Sequence, residues 1–202
     1  IFFSMNSFVL CSGGYENGTA TGKGHLQLDI TWNPLDIFEQ GQSYIVAGYG
    51  LNKTIDIHGY FSVHPEDFYS YYYGIFYQFL NLNFIDIATS LGIRKYSNAN
   101  STHLFFPQIL FTIKLVDNYE IGGSLVSIRN LNDKHYYGTA ADIFFSIPIA
   151  NNYLKNSNKR IKSVKFSLGA FKPVLWTPKI SDWHPTYSVD IKVRLIDLVN
   201  IK

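Results

Sequence analysis

Residues 54–64 read TIDIHGYFSVH, and their alternation decides the fold class. Ile55, Ile57, Phe61 and Val63 fall on one side of an extended chain, while Asp56, His58, Tyr60, Ser62 and His64 fall on the other. A repeat of two is the period of a β-strand with two unlike faces. The pattern recurs near both ends of the chain. His25, Gln27, Asp29 and Thr31 oppose Leu26, Leu28, Ile30 and Trp32, and Ser188, Asp190, Lys192 and Arg194 oppose Val189, Ile191, Val193 and Leu195. No segment carries a convincing helical period, and no internal repeat or low-complexity tract is present.

Followed along the chain, the alternation predicts ten strands, at 22–32, 43–51, 54–64, 68–80, 84–95, 103–116, 119–129, 136–147, 162–172 and 187–197. Soluble strands run about 5–6 residues, whereas a membrane-crossing strand needs about 9–11. The predicted strands fall in the longer class. Their connections alternate in length as well. Asn52-Lys53, Asn81-Leu82-Asn83 and Asp117-Asn118 are tight, while 33–42, 96–102, 130–135 and 173–186 are longer and polar. Short turns at one end and long loops at the other are the plan of an outer-membrane barrel. Two connections depart from it: Pro65-Glu66-Asp67 is short where a long loop is expected, and the basic segment 148–161 is long where a turn is expected.

Composition agrees with a barrel in lipid. Charged residues make up 16% of the 202 residues and aromatics 17%, with 15 Tyr and 16 Phe. An average soluble domain carries about 25% charge. The net charge of +2, without a long basic run, gives no nucleic-acid footprint. No run of about 18 apolar residues is present, so a membrane reading requires strands rather than helices. Tyr69, Tyr71, Tyr72, Tyr73, Phe76, Tyr77, Tyr136, Tyr137, Phe144 and Phe145 are expected to serve as interfacial girdles. Residues 1–20 read as a signal-peptide remnant or N-terminal extension: the apolar run IFFSMNSFVL meets Cys11-Ser12-Gly13-Gly14. Cys11 is the single cysteine, so no internal disulfide is available, and a lipid anchor on it is an alternative. The barrel domain is assigned to 21–202.

With apolar residues outward, the lumen receives a polar network of Asp29, Asp56, His58, Asp86, Arg94, Lys114, Glu120, Asp142, Lys165, Asp190, Lys192 and Arg194, with His25 on the same faces. Charges inside a narrow barrel must pair or hold water. About ten strands give a lumen close to what side chains can fill. Asp56, His58, Ser62 and His64 share one face and offer a hydrolase reading with His58 as base, although such spacing is common in any alternating strand. His64, Glu66 and Asp67 lack the second ligand cluster a metal site needs. The glycines of TGKGH (21–25) precede a strand rather than a helix, which excludes a phosphate-binding loop. No cofactor is expected.

The stretches TGKGHLQLDITW (21–32) and YGLNKTIDIHGYFS (49–62) resemble the opening of outer-membrane barrels of the meta-pathway phenol-degradation family, in the Gly-Lys-Gly strand start and the Tyr-Gly-Leu turn. The resemblance implies an outer-membrane protein of solute transport and carries no catalytic residues. The expectation is therefore an antiparallel up-and-down transmembrane β-barrel in a bacterial outer membrane, partnered by outer-membrane lipid and a small-molecule solute. Its expected role is a small-solute channel or transporter. The alternatives are a structural or adhesive barrel, a membrane hydrolase, and a soluble lipocalin-like binder with an apolar cavity and a charged exterior.

Overall fold

The computed structural model describes residues 17–32, 44–63, 69–149, 160–172 and 183–195. They form ten strands: β1 (His25–Trp32), β2 (Tyr44–Gly50), β3 (Ile55–Val63), β4 (Tyr69–Asn81), β5 (Ile85–Tyr96), β6 (Ala99–Lys114), β7 (Glu120–Asn130), β8 (Tyr136–Pro148), β9 (Ile161–Lys172) and β10 (His184–Arg194). Each pairs antiparallel with its sequence neighbours, and β1 pairs with β10, so the sheet closes in chain order. The architecture is an all-β up-and-down barrel, and closure leaves no unpaired sheet edge.

Local chemistry explains the tight turns. Asn52 Oδ1 accepts the backbone N–H groups of Thr54 (2.7 Å) and Ile55 (2.8 Å), an Asx turn that reverses the chain between β2 and β3. Between β6 and β7, Asp117 and Asn118 take left-handed φ values of 59° and 64°, a region these residue types tolerate well. Pro107 lies inside β6, where the register to β7 shifts between Phe105 and Gln108; a residue without an N–H is accommodated where the ladder is interrupted.

The boundaries of β1, β6 and β10 differ most from expectation, and β1 begins at His25 rather than 22. The polar stretch 96–102 is a two-residue hairpin turn, Ser97-Asn98, because Ala99–Thr102 continue β6 against β5. Polar side chains hid a strand whose pairing is made by backbone. Likewise β10 begins at His184 rather than 187. Residues 1–16 with Cys11, and the segments 33–43, 64–68, 150–159 and 173–182, lie outside the described residues, which takes with them His64, the Pro65-Glu66-Asp67 loop and most of the basic connection.

The wall is apolar on its outer surface. Ile75 and Leu125 are 56% exposed and Phe79 is 51% exposed, while Asp56 and Asp86 on the inner face are fully buried. Exposed outward charges on these strands cluster at their ends: Lys95, Arg129 and Lys172 fall within the last two residues of β5, β7 and β9, all at the long-loop end. The aromatic-rich stretch of β4 divides by parity. Tyr69, Tyr71, Tyr73, Tyr77 and Phe79 face out, but Tyr72 and Phe76 are buried inside, so they are lumen filling and not girdle residues.

Candidate functional site

The inner face carries the polar residues that the alternation assigns to it, and they fall into three groups, of which the strap and cavity groups adjoin through Lys114 and Glu120. The first lies against a closely packed wall. Tyr60, Tyr72, Phe76, Phe105, Leu110, Val126 and Ile128 are buried together there. Tyr72 stacks on Tyr60 with centroids 5.1 Å apart and meets Phe105 edge-on at 5.3 Å. Its ring lies over Gly92, where any Cβ would come within 2.0 Å of the phenol oxygen, so β5 needs glycine at that point. Arg94 is only 2% exposed. Its guanidinium sits 4.9 Å from the Tyr96 ring centre and 4.7 Å from that of Phe105, and donates to Tyr60 Oη at 3.3 Å. Cation–π contacts of this kind strengthen on desolvation.

His58 belongs to the same wall. Its Nε2 is 3.1 Å from Tyr72 Oη and 3.2 Å from Ser90 Oγ. The Ser–His contact has the reach of a nucleophile–base pair, but Ser90 is 2% and His58 5% exposed, inside packed side chains. Across β7 and β8, Ser124 Oγ donates to Asp142 Oδ2 at 2.6 Å, a buried pair set apart from the others.

The second group is a strap. Residues 17–22 run along the inner wall before β1 begins, and successive residues meet successive strands. Thr21 N–H donates to Asp56 Oδ2 on β3 (2.6 Å), Ala20 N–H to Gln78 Oε1 on β4 (2.9 Å), Thr19 Oγ1 to Asp86 Oδ2 on β5 (2.7 Å) and Gly18 N–H to Thr112 Oγ1 on β6 (2.9 Å). Lys114 Nζ holds the other oxygen of Asp86 at 2.8 Å. Gly22 and Gly24, with φ of 82° and 74°, let the chain leave the wall and turn into β1. The Gly-Lys-Gly start is thus the pivot of the strap. Residues 17–20, assigned from sequence to a remnant or extension, are bound inside the barrel. Little in residues 17–22 alone signals this, because three of the four contacts are made by backbone donors and only Thr19 uses its side chain. Its acceptors were more legible: Gln78 shares inward parity with Tyr72 and Phe76.

The third group lines a cavity of about 370 Å³ at the short-turn end, bounded by β7–β10, β1 and strap residues Asn17 and Thr19. Lys165 Nζ pairs with Glu120 Oε1 at 2.5 Å. Asp190 accepts Ser167 Oγ at 3.0 Å and faces Asp29, its register partner on β1. Lys192 faces the cavity beside Gln27 and Ser163, its partners on β1 and β9. A β-bulge follows: Lys192 pairs with Ser163 but Val193 with Ile161, and the extra residue, Lys162, lines the cavity. Bulges re-aim side chains in this way. Lys162 escaped the sequence reading because strict alternation points it away from the lumen.

Arg194, the last residue of β10, keeps the register of Lys192 against β1 and is exposed at the rim. Among the described residues, no three His, Cys, Asp or Glu side chains gather as metal ligands. Comparison with known proteins finds no family model and no curated sequence that matches the chain, so what the lumen does is read from its geometry.

Proposed function

We propose that the chain is an outer-membrane barrel of the bacterial type, with lipid against its outer wall and a lumen that receives small solutes from the short-turn end. One observation carries the reading: the wall is apolar and exposed outside while carboxylates, Arg94 and hydroxyls are buried inside, the inverse of a soluble barrel. The end-clustered outward charges Lys95, Arg129 and Lys172 support it, since lipid-facing charge is costly at mid-height and tolerated near the interfaces. The packed inner wall of β3–β7 supports a resting barrel that is blind rather than freely conducting.

The experiment is insertion. The chain is expected to require detergent or lipid to fold and to float with phospholipid vesicles. Leu125→Arg, on the outer mid-face, is expected to lower folded stability by about 2–4 kcal/mol in vesicles, whereas an exposed position of a soluble barrel would change by about 0.5 kcal/mol or less. A monomer that stays soluble and folded without detergent overturns the reading.

Solute passage is the second reading, and the charged cavity at the short-turn end favours it. It requires a path past the aromatic wall or a displaced strap. Planar-bilayer conductance that rises when Asp56 and Gln78 are both replaced by Ala would support it, and a silent barrel in both forms would sink it.

A further inference from the structure

The short-turn cavity has an imbalance that its own contacts do not satisfy. Its two acids are engaged: Glu120 by Lys165, and Asp190 by the Ser167 hydroxyl. Its other two ammonium groups are not. Lys162 and Lys192 make no hydrogen bond or ion pair among the described residues, Glu120 and Asp56 acting on Lys192 only at longer range, and both line the cavity. Lys192 is half-buried on the inner face of β10, and Lys162 is brought to the mouth by the β9 bulge. Neutral hydrogen-bonding groups complete the surroundings: Gln27 and Ser163 flank Lys192, and Asn17 and Thr19 contribute from the strap. The volume of about 370 Å³ falls in the range of small-molecule pockets, about 300–1,000 Å³.

The geometry points to a binding site for a small oxyanion, a carboxylate or phosphate group held between Lys192 and Lys162. A compact anion would satisfy both ammonium groups and accept from Gln27 or Ser163, and Lys165 would stay with Glu120. A cation would meet three ammonium groups, Lys162, Lys165 and Lys192, against two carboxylates, Glu120 and Asp190, so the lining repels it on balance. The strap gives the site its fourth wall, so the pocket exists in this form only while residues 17–22 lie on β3–β6. The inference deepens the reading of a lumen that receives small solutes, because it names the chemistry of the solute.

The test uses the full chain folded in detergent micelles and titrated calorimetrically at low salt with succinate, inorganic phosphate and choline. Saturable binding of succinate or phosphate is expected, and whichever binds identifies the source of the oxyanion. Lys192→Gln and Lys162→Gln are each expected to weaken it about tenfold, since a charge-assisted hydrogen bond is lost in each case. Lys95→Gln, on the outer wall, is expected to leave it unchanged. Circular dichroism and the unfolding midpoint establish that each variant is folded. Absence of binding by both anions to the folded chain, equal binding by the Lys192→Gln and Lys162→Gln variants, or tighter binding of choline overturns the inference. Such a failure leaves vesicle insertion untouched, and failure of insertion with anion binding retained would overturn only the membrane reading.

Discussion

The inner face of β3–β7 and the inner face of β9, β10 and β1 belong to one closed sheet and obey one alternation, yet they hold different interiors. The first presents Tyr60, Tyr72, Phe76, Phe105 and Val126, with glycine where a ring must lie, and is closely packed. The second presents Lys165, Ser167, Asp190, Lys192, Gln27 and Asp29, and leaves space that water or a solute can fill. Strand parity decides which side chains point inward. Their size and polarity decide whether the interior becomes a core or a vestibule. A barrel of ten strands is near the size at which either outcome is open, and this one takes a different outcome on each wall.

The largest test of that contrast is to empty the packed wall. Phe105 is fully buried between the Tyr72 ring and the Arg94 guanidinium. Phe105→Ala should cost about 3–5 kcal/mol, the transfer loss plus the cavity left behind, measured by denaturant unfolding in detergent. Gln27→Ala, on the polar wall, should change the same measurement by about 0.5 kcal/mol or less. Equal effects would mean that the two walls are packed alike and would break the comparison.

An intermediate effect is expected where the strap joins the packed wall to the cavity. Asp56 is fully buried and accepts the Thr21 N–H. Asp56→Ala should cost about 1.5–3 kcal/mol, the range for a hydrogen bond to a charged group, with a local signature as well: amide exchange at Ala20 and Thr21 should speed up while protection in β8 and β9 is retained. Asp56→Asn keeps a carbonyl acceptor and should restore part of the protection. Unchanged exchange at Thr21 in the Ala variant would show that the strap is held by something other than these contacts.

Much of this was legible in the sequence because it depends on period. All ten strands, the tight turns at Asn52 and Asp117-Asn118, and the inward placement of Asp29, Asp56, Asp86, Asp142 and Asp190 follow from counting by two. What was not legible depends on things alternation does not carry. Tyr72 and Phe76 sit in a run of aromatics, where hydrophobicity gives no contrast between faces and only parity separates them. Lys162 is displaced by a bulge, and one extra residue reverses the face of a side chain. The strap is bound mainly through backbone N–H groups, which every residue type except proline has, with the Thr19 hydroxyl as the one side-chain donor. The polar network was expected as one system because a linear sequence gives no angular separation around a barrel. In the closed ring, the Asp86–Lys114 and Glu120–Lys165 pairs adjoin, because Lys114 on β6 is the register partner of Glu120 on β7, while Arg94 and His58 lie in the packed aromatic wall away from the cavity lining.

The smallest effect is the most discriminating about water. Lys165 and Glu120 form an ion pair whose side chains retain 22% and 19% of their exposure. If the cavity is hydrated, Lys165→Met removes a partly screened interaction and should cost about 1 kcal/mol or less. If the cavity is as closely packed as the opposite wall, the same change leaves Glu120 as an uncompensated buried charge, and the loss should be about 3–5 kcal/mol. Salt separates the cases further. The Debye length falls from about 10 Å at 0.1 M to about 3 Å at 1 M, so a hydrated pair should lose most of its contribution over that range while a dry one keeps it. Unfolding of the parent and of Lys165→Met at the two salt concentrations gives four values. A difference that shrinks with salt places water beside β9, β10 and β1. A large difference that does not shrink would join this wall to the aromatic core and remove the vestibule.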